Sequence, residues 1–173
     1  MNTSNELPSL EVLNRLLNYD PYTGDLIWKN RVNRRVFPGS IAGCVNSLKY
    51  RTVGIGRRRY YAHRIAWFML KGTQPQRGID HINGDRSDNR ISNLRESSSS
   101  ENSYNRIPIT VNSSGYKGVH RHSLCKKFYG KVCKNYKQHH TKLFDTAGEA
   151  SVAVKLLRER LHGEFANHGE LTP

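Results

Sequence analysis

No apolar run in this chain is longer than residues 65–70, Ile-Ala-Trp-Phe-Met-Leu. Segments this short build only brief strands and helices, and they fall far below the roughly 20 residues that a membrane span requires. Hydrophobic residues are 36% of the 173, enough to close packed cores but only small ones, which argues against a fully disordered polycation. The length allows one ordinary domain or two small ones. Cys44, Cys125 and Cys133 never form a CxxC pair. Neither a zinc ribbon nor a disulfide framework follows, and a reducing, cytosolic setting is expected. The opening MNTSNELPS has neither the basic start nor the apolar core of a signal peptide. A secreted or membrane protein is therefore not expected.

The distribution of charge says more than its total of +14. Residues 26–79 and 102–144 contain no acid at all, while Lys and Arg accumulate in both blocks. Two long cationic surfaces suit a polyanion, because each Lys or Arg set on a phosphate releases condensed counterions. A nucleic acid is the expected partner, and the resemblances below make it double-stranded DNA. Between the blocks lies an acidic island with Asp80, Asp85, Asp88, Glu96 and Glu101. Those carboxylates would be repelled by the same phosphates unless a divalent cation neutralises both.

The local patterns predict an α+β chain. Ser9 can cap a helix with Leu10, Leu13, Leu16 and Leu17 at helical spacing, ending before Pro21. Asp20-Pro-Tyr-Thr-Gly24 is a turn, and short segments at 26–28, 50–55 and 60–62, punctuated by glycines, predict a small antiparallel sheet. A helix over 63–71 should end at Gly72. Next come a strand at 79–82, the Asn83-Gly84 turn and a returning strand at 91–94. Ser98 and Glu101 have capping-box spacing for a helix carrying Asn102. Beyond Pro108 and Asn112-Ser-Ser114, strands are expected at 116–119, 128–134 and 139–144. A helix follows with Ala150, Ala153, Val154, Leu157 and Leu161 on its apolar stripe, where Phe128, Leu143 and Phe144 should also serve as core. The expected domains are 1–106 and 114–173, joined by a linker at 107–113.

The island carries the chemistry. A hard-oxygen site made from Asp80 and the amide oxygen of Asn102 would select Mg2+ or Mn2+, one per chain, over zinc. Such an ion would polarise a scissile phosphate, and His81, with an ordinary pKa near 6.5, is suited to deprotonate the attacking water. Adjacent strand residues point to opposite faces, so Asp80 and His81 can cooperate only where the strand twists or ends.

IDHINGDRSDNRISNLRESSSSENSYN, with HRIAWFMLKG upstream and YDPYTGDLIWKN before that, resembles the phage and intron homing branch of the HNH endonuclease family over roughly residues 18–106. The resemblance implies a ββα-metal nuclease domain and a bacterial host cytoplasm. It makes His81 the general base and Asn93 the asparagine that braces the loop and orients the histidine, with Asp80 and Asn102 as metal ligands. The final histidine of the family name is Asn102 here, a departure found within the homing branch that weighs against a zinc-type site. His63 matches no catalytic role and is expected to be packed or to contact a phosphate. Arg57, Arg58, Arg59 and Arg64 are candidate DNA contacts of the basic N-terminal region.

GYKGV, FDTAGEA and LHGEFAN resemble landmarks of the APETALA2-type DNA-binding domain, three strands packed on one helix, over about residues 114–168. The resemblance implies a sheet lying in the major groove, with strand side chains reaching bases and phosphates. Arg121, Lys131 and Lys134 are the candidate contacts. Phe128 stands where that family usually has tryptophan, and Lys142 where it has glycine.

These features together predict a metal-dependent DNA endonuclease of the HNH homing type that hydrolyses a phosphodiester bond at a preferred site. One metal site per chain predicts a nick from a monomer, while a double-strand break would need a dimer or a second binding event; both stay open. The alternative is a non-catalytic, sequence-specific DNA-binding regulator, whose affinity would not respond to magnesium.

Overall fold

The computed structural model describes residues 6–106 and 113–169. The chain falls into two units that divide between Ser97 and Ser98. All but the last residue of the expected linker at 107–113 lies outside the described residues.

In the first unit, the Ser9 hydroxyl accepts the Val12 amide at 3.3 Å and starts helix α1, Leu10–Leu16. Leu17 does not extend that helix; it opens strand β1, Leu17–Tyr19, which pairs antiparallel with β2, Leu26–Trp28. The turn between them closes through the Gly24 amide donating to the Asp20 carbonyl, while Asp20 Oδ1 accepts from the Tyr22 and Thr23 amides. Gly24 has φ +77°, and a Cβ there would stand 2.4 Å from the Arg90 nitrogen. Only glycine allows this approach of one backbone to another. Strands β3 (Cys44–Val45), β4 (Arg51–Ile55) and β5 (Arg58–Tyr61) form an antiparallel sheet in which β3 stands where segment 26–28 was expected, since β2 pairs with β1 instead; helix α2, Ala62–Lys71, ends at a left-handed Gly72. Leu13, Leu17, Leu26, Trp28, Val53, Ile65 and Phe68 make the core beneath.

Strand β6, Gly78–His81, and strand β7, Leu94–Ser97, form a two-stranded hairpin packed through Ile79 and Leu94 on Ala66 of α2. The returning strand begins later than the apolar spacing predicts, because residues 91–93 are a 3-10 turn. Asn93 explains the shift. Its Oδ1 accepts the Asn83 amide and its Nδ2 donates to the Asp88 carbonyl, both at 2.9 Å, so it serves the loop and not a ladder.

In the second unit, Ser98 and Glu101 form the expected capping box on helix α3, Ser99–Tyr104. Strands β8 (Val119–Arg121), β9 (Phe128–Lys134) and β10 (Lys137–His140) make an antiparallel sheet packed on helix α4, Ala147–His162. Val119, Val132, Ala150, Val154 and Leu157 are its core. Gly130 lets α4 settle on the sheet, since a Cβ there would meet Val154 Cβ at 2.4 Å.

Two strands lie elsewhere than predicted. The first starts at Val119, and the third runs over 137–140 because Asn135 and Tyr136 take left-handed φ values of 50° and 63° and turn the chain early. Thr141 Oγ1 then accepts the Gly130 amide at 2.8 Å in place of a ladder bond, and Phe144 rejoins the sheet through a single bridge to Phe128. Phe128 and Phe144 pack on the core, whereas Leu143, expected there, is 43% exposed. The whole is the α+β class expected: small antiparallel sheets, and a three-stranded sheet on one helix.

Candidate active site

The acidic island folds so that its most reactive side chains are its least exposed. In β6, Asp80 lies opposite Arg95 of β7 and His81 opposite Leu94, and the strand ends at His81. The Arg95 guanidinium donates to Asp80 Oδ2 from Nε at 3.0 Å and from the terminal nitrogen at 2.8 Å. Both side chains are largely buried, so the pair has little solvent to screen it. Losing one partner would strand a desolvated charge.

His81 is 4% exposed. Its Nε2 stands 3.4 Å from Oδ1 of the buried Asn89. An amide oxygen only accepts, so this contact favours the Nε2–H tautomer and leaves the lone pair on Nδ1. Aromatic rings fix the imidazole's other sides: Tyr50 at 5.9 Å and His63 at 5.1 Å, the latter nearly perpendicular at 88°. His63 stacks on Tyr61, and its buried Nδ1 has no hydrogen-bond partner among the described residues. Burial lowers the pKa of His81, against the opposing pull of Asn89, Asp80, Asp85 and Asp88. Burial and the neighbouring His81 bring His63 down to about 3. Both rings are therefore neutral at pH 7, which for His81 is the form that accepts a proton.

The loop between the strands is held from several sides. The Gly84 amide donates to the His81 carbonyl, and Asp88 takes three bonds from Arg90 (its backbone amide and two guanidinium nitrogens) and one from Asn83. Arg86 reaches back to the Leu48 carbonyl at 3.3 Å and lies 4.9 Å over the Tyr50 ring. The YDPYTG segment grips the loop as well: the Tyr19 hydroxyl donates to the Asn89 carbonyl at 3.0 Å, beside the Gly24–Arg90 approach. Asn93 joins the two ends of the loop through the bonds to Asn83 and Asp88, while Asn89 is the amide that touches the histidine ring.

Asn102 sits exposed on α3, in the second unit. Arg57, Arg58 and Arg59 are exposed at the β4–β5 turn and along β5. Arg64 is half-buried on α2, donates to the Pro75 carbonyl at 3.5 Å, and has its pKa lowered by desolvation. In the second unit, strand alternation separates the three predicted contacts. Lys131 shares the sheet face with Tyr129, His120 and His140, whose rings cluster at 5.5–5.7 Å around Tyr129. Arg121 and Lys134 have the parity of Val119 and Val132, which turn toward α4. Asn89, Arg95 and Tyr50 went unnoticed in the sequence. Only the hairpin register could have paired Arg95 with Asp80.

Among the described residues no group of three His, Cys, Asp or Glu side chains could hold a metal ion. The donor chemistry at Asp80 still suits a hard cation, because Mg2+ commonly takes one or two carboxylates and completes its shell with water and substrate phosphate.

The sequence profile of the HNH endonuclease family matches residues 60–104. Protein 3.8 of Escherichia phage T7 is 32% identical over 105 residues, which cover 60% of this chain and 86% of that protein. The chain belongs to the HNH endonuclease family. Its HNH segment holds α2, the β6–β7 hairpin and α3, and thus Asp80, His81, Asn89, Asn93, Arg95 and Asn102. No solved structure matches the chain. No helix among the described residues is long and apolar enough to cross a membrane.

Proposed function

We propose that this HNH protein is a divalent-metal-dependent DNA endonuclease of the homing type, cutting at a preferred site in the cytoplasm of a bacterial host. The observation that carries this reading is the neutral, caged His81 beside the ion-paired Asp80 at the end of β6. His81 takes the proton from the attacking water on Nδ1. Asn89 orients it through Nε2, and Asn93 holds the loop from which Asn89 projects. Asp80 and Asn102 supply the oxygens that would hold Mg2+ or Mn2+, and such an ion, when bound, polarises the scissile phosphate and stabilises the leaving oxygen. Arg95 offsets the cost of burying the Asp80 carboxylate and keeps it in one orientation.

The second unit serves as an APETALA2-type DNA-binding module. Its exposed sheet face offers Lys131 amid Tyr129, His120 and His140, a basic and aromatic surface fit for a groove. Arg57, Arg58, Arg59 and Arg64 add phosphate contacts from the first unit, with Arg121 and Lys134 at the borders of the second. Holding the DNA on both units keeps the scissile bond in register with His81.

Supercoiled plasmid incubated with magnesium or with chelator tests the reading. Magnesium-dependent conversion to nicked or linear product is expected. Intact plasmid bound equally well with and without magnesium would leave a non-catalytic DNA-binding regulator, a role compatible with an Asp80 held by Arg95.

A further inference from the structure

The second unit contains a cavity of about 450 Å3. It forms at the corner where β9 outruns β8: β8 pairs with residues 128–130, so the β8-side edge of residues 131–134 has no ladder partner among the described residues, although β10 pairs with their other edge. Helices α3 and α4 contribute the remaining walls. Lys117, Arg158, His162, Ser99 and Ser100 are among the lining residues, and none of the described lining residues is acidic.

Arg158 is buried and Lys117 half-buried, and among the described residues neither is hydrogen-bonded to a carboxylate. Arg158 is 3% exposed; its guanidinium donates to the Lys117 carbonyl at 2.8 Å and meets His168 Nδ1 at 3.0 Å. Glu159 bonds the far nitrogen of His168 and attracts the Arg158 guanidinium without a hydrogen bond to it. Among the described residues, Lys117 Nζ donates to neutral oxygens, those of Arg106 and Asn167, and burial beside Arg158 brings its pKa down to about 8. Buried charges are ordinarily bonded to their opposites, so two desolvated cations facing one cavity, with Glu159 the one carboxylate acting on either among the described residues and bonded to neither, suit an anion from outside. His162 adds to the case. Its Nε2 donates to the Cys133 carbonyl, while Nδ1 is buried without a hydrogen-bond partner among the described residues and becomes a donor once the ring is protonated. Cations converging with serine hydroxyls in an acid-free concavity match the several acceptor oxygens of a phosphate.

We propose that this cavity is a phosphate-binding site, which takes the phosphate group of a nucleic-acid strand or of a free nucleotide. The cationic walls lie outside the segment that the HNH profile matches. The site is thus independent of whether His81 cleaves DNA.

The test is a 1H–15N NMR titration of the full chain with inorganic phosphate at constant ionic strength. Saturable shifts at Gly118, residues 131–133 and His162 are expected. Ser100→Glu places a carboxylate on the wall while suiting the first turn of α3. It should weaken phosphate binding by on the order of tenfold with an unchanged melting temperature. Arg158→Met should weaken it further wherever that variant folds, and Ser100→Glu decides the matter if it does not. A short duplex that displaces phosphate and reproduces its shifts identifies a strand as the source. Deoxyadenosine monophosphate that binds without displacement by duplex identifies a nucleotide, and either result supports the site. Shifts that never saturate, or that spread over the basic surface and ignore Ser100→Glu, overturn it.

Discussion

The β6–β7 hairpin and the β8–β10 sheet put histidine and its polar neighbours to opposite ends. In the hairpin, Asp80, His81, Asn89 and Asn93 are all buried, and neighbouring side chains or backbone fix each one. In the sheet, His120, Tyr129, Lys131 and His140 share a face that no helix covers. Burial removes water from an imidazole, selects its neutral form and sets its tautomer, which is what proton transfer needs. Exposure leaves rings and ammonium groups hydrated and adaptable, which suits contact with a polyanion. Under the proposed function, the hairpin would serve chemistry at one point, and the sheet adhesion along a surface.

Replacing His81 by Ala breaks the comparison most sharply. Plasmid cleavage should fall by on the order of 100- to 10,000-fold, while DNA affinity in a gel-shift titration stays near that of the parent. Near-normal turnover would remove His81 from the role of base. Asp80→Ala comes next, since it leaves Arg95 buried and unpaired. Urea unfolding should register a loss of about 3 kcal/mol, and metal-dependent cleavage should vanish. Adding Arg95→Met should recover much of the stability but none of the cleavage; recovery of both would mean that Asp80 is only structural.

A third experiment sharpens the contrast through pH. His63 titrates near 3 in the folded chain, whereas in the unfolded chain its imidazole behaves like a free one near 6.5. Between those values the unfolded state binds the extra proton, so stability falls as pH falls. The loss from pH 7 to pH 5 should be about 2 kcal/mol, measurable in chemical denaturation. His63→Phe should flatten that slope, and an unchanged slope would show that His63 is not the group responsible. The smallest effect is expected on the sheet. Lys131→Ala should reduce the slope of log affinity against log salt by about one, with Lys134→Ala changing it less because that side chain has the parity of the α4 face. Equal changes would mean that strand alternation does not sort these contacts.

Much of this architecture was legible beforehand. Ser9, Gly72 and the Ser98/Glu101 box mark helix ends through local hydrogen bonds or local backbone freedom, and such signals survive whatever the rest of the chain does. Two of the misplaced boundaries share a cause. Asn93 and Thr141 each bond a backbone group that lies far off in sequence, so their side chains override the local pattern. The Asp80–Arg95 pair was illegible for a related reason: it depends on a register set by a loop whose length in space no spacing rule reveals.

Charge placement along the chain was enough to point to a polyanionic partner, and the Asp-His and Asn pattern was enough to nominate the chemistry, because both depend on which residues are present. What tertiary structure alone decided is the state of those residues. It caged His81 among Tyr50, His63 and Asn89, tied Asp80 to Arg95, and divided the basic residues of β8 and β9 between two faces. A pKa, a tautomer and an accessible face are properties of surroundings, and surroundings exist only once distant segments have packed.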